Sequence, residues 1–199
     1  MAATATNIDG RTARAERTHA AVIEAFLDLL YSGDPRPSTE RVAKRAGVSE
    51  RTVFQHFRDR EGLYAAVAAL QGERIGQLWR ALPTTGPFEV RLEAFLVQRA
   101  GLLETITPVR RTGMLSEPFS EVIAAGLAGI RSAKAAEVEG VFSNELDALP
   151  PGERDEVRAA AATAASWQAW EALRAHQELS VARARAAMGR TLRALLSPR

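Results

Sequence analysis

Apolar residues recur along this chain with helical spacing, broken by Gly and Pro, and no stretch alternates as a strand would. Val22, Phe26, Leu29 and Leu30 stand at i, i+4, i+7 and i+8, one buried face of a helix predicted over residues 14–32. Gly33-Asp34-Pro35-Arg36-Pro37 forbids its continuation. Ser38 is then suited to cap a short helix from Thr39 to Ala46, with Val42 and Ala46 inward and Ala43 small enough for close helix packing. Gly47 follows, where a left-handed backbone costs Gly least. Val48 fills the angle between helices. Ser49 caps a third helix whose Val53 and Phe57 turn to the core. Glu50, Arg51, Thr52, Phe54, Gln55 and His56 are left on its free face or sides.

The same punctuation divides the remainder. A fourth helix is predicted from the N-cap Asp59 to about Arg80, with Leu63, Tyr64, Val67, Leu70, Ile75 and Leu78 inward. Pro83-Thr84-Thr85-Gly86-Pro87 ends it. Residues 88–106 form the next amphipathic stretch, with Pro108 expected to break it and a short helix after it from Val109 to Leu115. Pro118 opens a long helix to about Leu146, and Pro150-Pro151-Gly152 is a further break. The last two helices are predicted over Glu153–His176 and Ser180–Leu196. The fold class is all-α, with about nine helices: a mobile tail at 1–13, a three-helix module at 14–62 and a helical body at 63–199.

Two short helices joined by a three-to-four-residue turn containing Gly make a helix-turn-helix, whose second helix enters the DNA major groove by its first turns. Charge strengthens this reading. The chain has a net charge of only +2 over 199 residues, yet Arg36, Arg41, Lys44, Arg45, Arg51, Arg58 and Arg60 face only Glu40, Glu50 and Asp59 in one short window. A local basic face on a nearly neutral chain suits a module that touches phosphates. Arg51 has the chemistry to pair with a guanine edge and Gln55 with an adenine edge.

AGVSERTVFQHFRDREGLYAAV, from Ala46 to Val67, resembles the DNA-binding signature of the TetR/AcrR family of transcriptional regulators. Ala46, Gly47, Val48, Ser49, Thr52, Phe54, His56, Phe57, Arg60 and Glu61 carry the likeness, which covers residues 14–63. It implies phosphate contacts for Ser38, Thr52, His56 and Arg60. It also implies DNA-facing positions for Ser49 and for the outward Arg51 and Gln55, where base reading varies among members. Phe54 departs from the Tyr that many members carry, and Thr39 from a common apolar residue.

The resemblance further implies a homodimer that binds a pseudo-palindromic operator, a repressor that answers to a small-molecule effector. The candidate pocket lining is Trp79, Phe88, Phe95, Leu102, Met114, Phe119, Ile123, Phe142, Trp167 and Trp170, residues that at helical spacing equally suit a core. The family pairs its last two helices between protomers. Here that points to Ala161, Ala165, Val181, Arg185, Met188, Leu192 and Leu195.

Enzymatic chemistry finds little support. His19, His56 and His176 fall in different elements, and no HExxH, Gly-rich phosphate loop or Gly-x-Ser-x-Gly elbow occurs. Arg110-Arg111 with Glu117 fits an anion site or, more commonly for such residues, a surface charge pair. Cys is absent, which removes disulfides and thiol chemistry, and no metal or cofactor is expected. No leader-like apolar run opens the chain, so a cytoplasmic location is expected. The rival reading is a helical small-molecule carrier or enzyme in which the N-terminal module only packs.

Overall fold

A computed structural model of the chain describes residues 3–78 and 80–197, with side-chain surroundings from Gly10 onward except at Arg11 and Leu78. The described residues are all-helical and contain no strand. They form ten α-helices: α1 Ala3–Tyr31, α2 Thr39–Ala46, α3 Glu50–His56, α4 Arg60–Leu78, α5 Phe88–Ser116, α6 Glu121–Val141, α7 Ser143–Asp147, α8 Pro151–Ala164, α9 Trp167–Glu171 and α10 Val181–Leu196. A 3₁₀ turn, Glu117–Phe119, precedes α6, and a π-helical turn, Ala172–His176, follows α9. No helix among the described residues is long and apolar enough to cross a membrane.

Packing divides the chain into two compact units, Met1–Leu78 with Pro108–Ile123, and Trp79–Thr107 with Ala124–Arg199. The first unit therefore holds more than the three-helix module expected at 14–62: α4 and a later segment pack with it. Its core is built from Val22, Phe26, Leu29 and Leu30 of α1, Val42 and Ala43 of α2, Val53 of α3, and Leu63, Tyr64 and Val67 of α4. The periodicity selected these positions on α1 and, on α4, Leu63, Tyr64 and Val67, whereas Leu70 and Ile75 further along α4 are only half-buried. Tyr64 is buried here, and its hydroxyl donates to the Val109 carbonyl at 3.3 Å. Thr112 Oγ1 likewise donates to the Pro35 carbonyl at 2.9 Å.

The second unit buries Leu92, Phe95 and Leu96 of α5 with Val138, Phe142, Leu146, Ala161, Trp170, Met188 and Leu192. Phe95 meets Phe142 edge-on at 5.3 Å between centroids, an arrangement that aligns ring edge with ring face. Two arginines enter this apolar interior from α5. Arg91 is paired with Glu145 and also donates to the Val141 and Gly86 carbonyls. Arg99 Nη2 meets Glu137 Oε2 at 2.6 Å, and its Nη1 donates to the Ala165 carbonyl at 3.0 Å. The Arg99 guanidinium also stands 4.7 Å from the Phe95 ring centroid. Burial pushes the Arg99 pKa down and Glu137 opposes that shift.

Four helix boundaries differ from the sequence expectation. The first helix starts at Ala3, not 14, so residues 3–13 are helical rather than a loose tail. Pro108 lies inside α5, so the expected helices 88–106 and 109–115 are one. Pro removes one helical hydrogen bond but does not by itself forbid the flanking turns, and tertiary packing of Val109 and Thr112 compensates. The long helix expected from Pro118 is instead a 3₁₀ turn followed by α6, with a break at Phe142. The helix expected over 153–176 stops at Ala165. Ser166 adopts an extended backbone and accepts from the Ala169 N–H at 3.2 Å, starting α9 afresh.

Candidate nucleic-acid interface

α2 and α3 owe their ends to side chains that satisfy orphan backbone groups. Ser38 is extended (φ −74°, ψ 155°), and its Oγ accepts from the Arg41 N–H at 3.2 Å. Gly47 closes α2 in the left-handed region (φ 69°, ψ 31°), which lets the Val48 N–H reach back to the Ala43 carbonyl at 3.0 Å. Ser49 then turns the chain into α3. Its Oγ accepts from the Thr52 N–H at 3.1 Å and lies 2.8 Å from Thr52 Oγ1. Val53 and Phe57 are buried and anchor α3 by its inner face. With that face fixed, Arg51, Phe54 and Gln55 are left exposed on the other side.

The expected DNA-facing residues therefore fall into two groups. Arg51 and Gln55 are exposed, and neither side chain hydrogen-bonds among the described residues. Ser38, Ser49 and Thr52 already serve as caps, although Ser38 and Ser49 remain exposed and Thr52 half-buried. His56 is half-buried, its ring edge-on to His19 at 6.0 Å, and His19 stacks on Phe57 at 4.6 Å. The side of His56 that packs is thus supplied by α1. His19 stands on the same stripe, three and seven residues before Val22 and Phe26, but as a polar residue it does not count in an apolar periodicity. Phe54, noted as a departure, is 59% exposed, an apolar ring with nothing of its own chain to cover it.

The basic window is only partly neutralised. Arg41 pairs with Asp34, and Arg45 lies 3.7 Å from Asp28. Both pairs are solvent-exposed and contribute little to stability. Lys44, Arg51 and Arg58 form no ion pair among the described residues. The Arg60 guanidinium has its pKa lowered, first by partial burial and then by the nearby Arg36, with Asp34 opposing. Two cations close enough to repel are a poor arrangement by themselves and a good one for an anion between them.

The other two expected sites fare differently. Of the pocket residues, Phe95, Phe142 and Trp170 are fully buried core, and Phe88 and Trp167 pack against that core. Leu102 is half-buried in the same unit. Met114, Phe119 and Ile123 belong to the first unit: Ile123 is buried, Met114 half-buried, and Phe119 88% exposed. Trp79 lies outside the described residues. The list is thus divided between the two units. Trp170 Nε1 donates to Glu104 at 2.7 Å and Trp167 Nε1 to Thr107 Oγ1 at 3.0 Å, bonds that fix both indoles in place.

The dimer assignment needs correction. Ala161, Ala165, Met188 and Leu192 are buried within the chain's own core, so no second protomer can touch them. Val181 is exposed, Arg185 is half-exposed beside Glu93, and Leu195 is partly buried. The stripe that looked like an intermolecular seam is mostly the face that α8 and α10 turn inward. The outer face of α10, lined by Ala182, Ala186, Arg190 and Ala194, shares an open groove with Glu93 and Arg193. The Arg110–Glu117 region also differs from a surface pair, since Arg110 is 5% exposed.

A capped tri-helical module with an outward polar α3 defines the class of helix-turn-helix DNA-binding proteins. Residues 32–67 match the family profile for bacterial regulatory proteins of the tetR family. Residues 32–67 thus carry a helix-turn-helix module of the tetR type. Its fold is shared with a transcriptional regulator from Rhodococcus sp. Rha1, at 18% identity and a TM-score of 0.66, over 92% of this chain and 95% of that one. A candidate TetR-family regulator from Mesorhizobium loti MAFF303099 aligns at 17% identity and a TM-score of 0.62, over 92% of this chain and 97% of the other. No curated protein matches the chain.

Proposed function

We propose that the chain binds a pseudo-palindromic operator as a homodimer, acts as a repressor there, and is released by a small-molecule effector. The observation that carries this reading is the exposed, unengaged pair Arg51 and Gln55 on the face of α3 opposite its buried anchors. They lie four residues apart, one helical turn, so both face one groove floor. Arg51 reads guanine and Gln55 reads adenine through their base edges. The exposed Phe54 ring packs against a thymine methyl or a deoxyribose, which replaces the phosphate contact that a Tyr would make. Ser38, Ser49, Thr52, His56 and Arg60 hold the module on the backbone, giving register without sequence information.

The second protomer packs on the outer face of α10, through Ala182, Ala186, Arg190 and Ala194. Small residues permit close helix approach, and an isologous contact sets the two α3 helices in a fixed spacing. The effector acts by binding one spacing better than the other.

Fluorescence anisotropy of the full chain with the duplex upstream of its own coding sequence, against a scrambled duplex, tests the DNA reading. A preference on the order of a thousandfold or more is expected at moderate salt, falling steeply as salt rises. The double substitution Arg51→Ala, Gln55→Ala abolishes the preference and leaves the helical content unchanged. Equal affinity for both duplexes contradicts the reading. Sedimentation of Ala186→Glu tests the interface: monomers are expected, and an intact dimer moves the contact elsewhere.

A further inference from the structure

Within the first unit, an open groove of about 270 Å³ is lined by the loop before α2, the start of α4, and the segment from the end of α5 to the start of α6. Its volume lies just under the roughly 300–1,000 Å³ typical of small-molecule sites. One wall is apolar: Leu115 and Phe119 are 52% and 88% exposed, and Ile123 backs them. An exposed Phe beside an exposed Leu, on a rim that already carries a concave surface, is the pattern that marks a binding groove.

The polar groups of the groove differ in how far they are engaged. The Thr112 hydroxyl donates to the Pro35 carbonyl at 2.9 Å, the Ser116 hydroxyl to the Thr112 carbonyl at 3.3 Å, and Ser120 Oγ accepts from the Ile123 N–H at 3.1 Å. The Tyr64 hydroxyl is also committed, to Val109. What remains is charged: the guanidiniums of Arg36 and Arg60 against the single carboxylate of Glu61. Neither guanidinium forms an ion pair among the described residues, and Asp34, the acid that acts on Arg60, is already paired with Arg41. Arg60 is partly desolvated with Arg36 as its repelling neighbour.

We propose that this groove binds a small apolar acid, its anionic head between Arg36 and Arg60 and its apolar body along Leu115 and Phe119. Two guanidiniums supply charge-assisted hydrogen bonds and lose their mutual repulsion when an anion sits between them. The bound body covers the Phe119 ring, removing it from water. Because Arg60 is also assigned to an operator phosphate, the acid and the DNA compete for one side chain. That coupling rests on the function proposed above; the binding itself does not.

The test uses the full chain and isothermal titration with sodium octanoate, octyl phosphate and octan-1-ol. Saturable one-to-one binding of octanoate or octyl phosphate is expected, the stronger of the two identifying the head group, with octan-1-ol far weaker. Arg36→Gln, a residue outside the proposed DNA contacts, weakens the acid about tenfold by removing one charged partner. Phe119→Ser, at an exposed position that does not threaten folding, weakens it at least about threefold. Saturating acid lowers affinity for the duplex selected by the protein from random DNA, and that duplex lowers acid affinity by the same factor. No saturable binding of either acid, or full affinity in both variants, overturns the site. Acid binding that the selected duplex leaves unchanged overturns the sharing of Arg60. If no duplex is selected, the octanoate titration alone decides the site, so the two failures are separable.

Discussion

Replacing Glu137 by Leu isolates the Arg99 guanidinium in the interior of the second unit, and this perturbation tests how that unit is held together. Arg99 is 3% exposed at its side chain and Glu137 is 15% exposed. Without the carboxylate, Arg99 keeps only the Ala165 carbonyl at 3.0 Å, a long contact to the Lys134 carbonyl at 3.4 Å, and the Phe95 ring. Removing one partner of a buried ion pair costs about 3–5 kcal/mol, mostly the penalty of the charge left behind. The reverse change, Arg99→Met, is milder. Glu137 retains Lys134 at 3.4 Å and some water, so the loss is about 1–3 kcal/mol, from the unmet carboxylate and carbonyls. The double variant Arg99→Met, Glu137→Leu removes both charges and recovers most of the Glu137→Leu loss. Urea unfolding followed by tryptophan fluorescence reads this directly, because Trp167 and Trp170 belong to the unit that holds the pair. Additive losses, or a Glu137→Leu loss under about 1 kcal/mol, would refute the claim that the pair is coupled and desolvated.

Three further outcomes follow from named residues. Burial pushes the Tyr64 hydroxyl up to about 12 from an ordinary 10.0, so its stabilising contribution is complete below pH 10 and lost as pH rises towards 12. That loss amounts to roughly 2–3 kcal/mol; Tyr64→Phe costs about 1 kcal/mol at pH 8 through the hydrogen bond to Val109 but flattens the decline at pH 11, as circular dichroism in urea will read. Gly47→Ala meets no neighbouring atom, yet its φ of +69° makes it cost about 1–2 kcal/mol, while Gly47→Asn costs less; equal stability of all three proteins in thermal melts contradicts the strain. Arg51→Ala relaxes preference at one base per half-site, by about 1–3 kcal/mol, and an unchanged selected motif removes Arg51 from the readers.

The helix-turn-helix was legible because each of its demands is local. Ser38, Gly47 and Ser49 announce helix ends by their own chemistry, and α2 runs over the residues read from the sequence. Pro108 and Ser166 show the limit of local reasoning. A Pro that breaks an isolated helix is carried inside α5 by its packing, while a Ser that nothing marks as special starts α9. The buried Arg91 and Arg99 were invisible for a related reason. Composition assigns Arg to the surface, and only the approach of Glu145 and Glu137 from distant segments makes burial tolerable. Ala161, Ala165, Met188 and Leu192 lay on correct helical stripes, but a stripe does not say whether its partner is the same chain or another. The Arg36–Arg60 groove depends on residues 112–123 folding back onto the first unit, a contact no local pattern encodes.

The central claim is that the face of α3 carrying Arg51 and Gln55 reads DNA. Selection by the full chain from a pool of random duplexes, with the enriched sequences read out, tests it most directly. The account predicts one enriched motif of two inverted half-sites, their centres one helical turn of about 10 base pairs, or a multiple of it, apart. A pool that stays random through repeated rounds at moderate salt contradicts it.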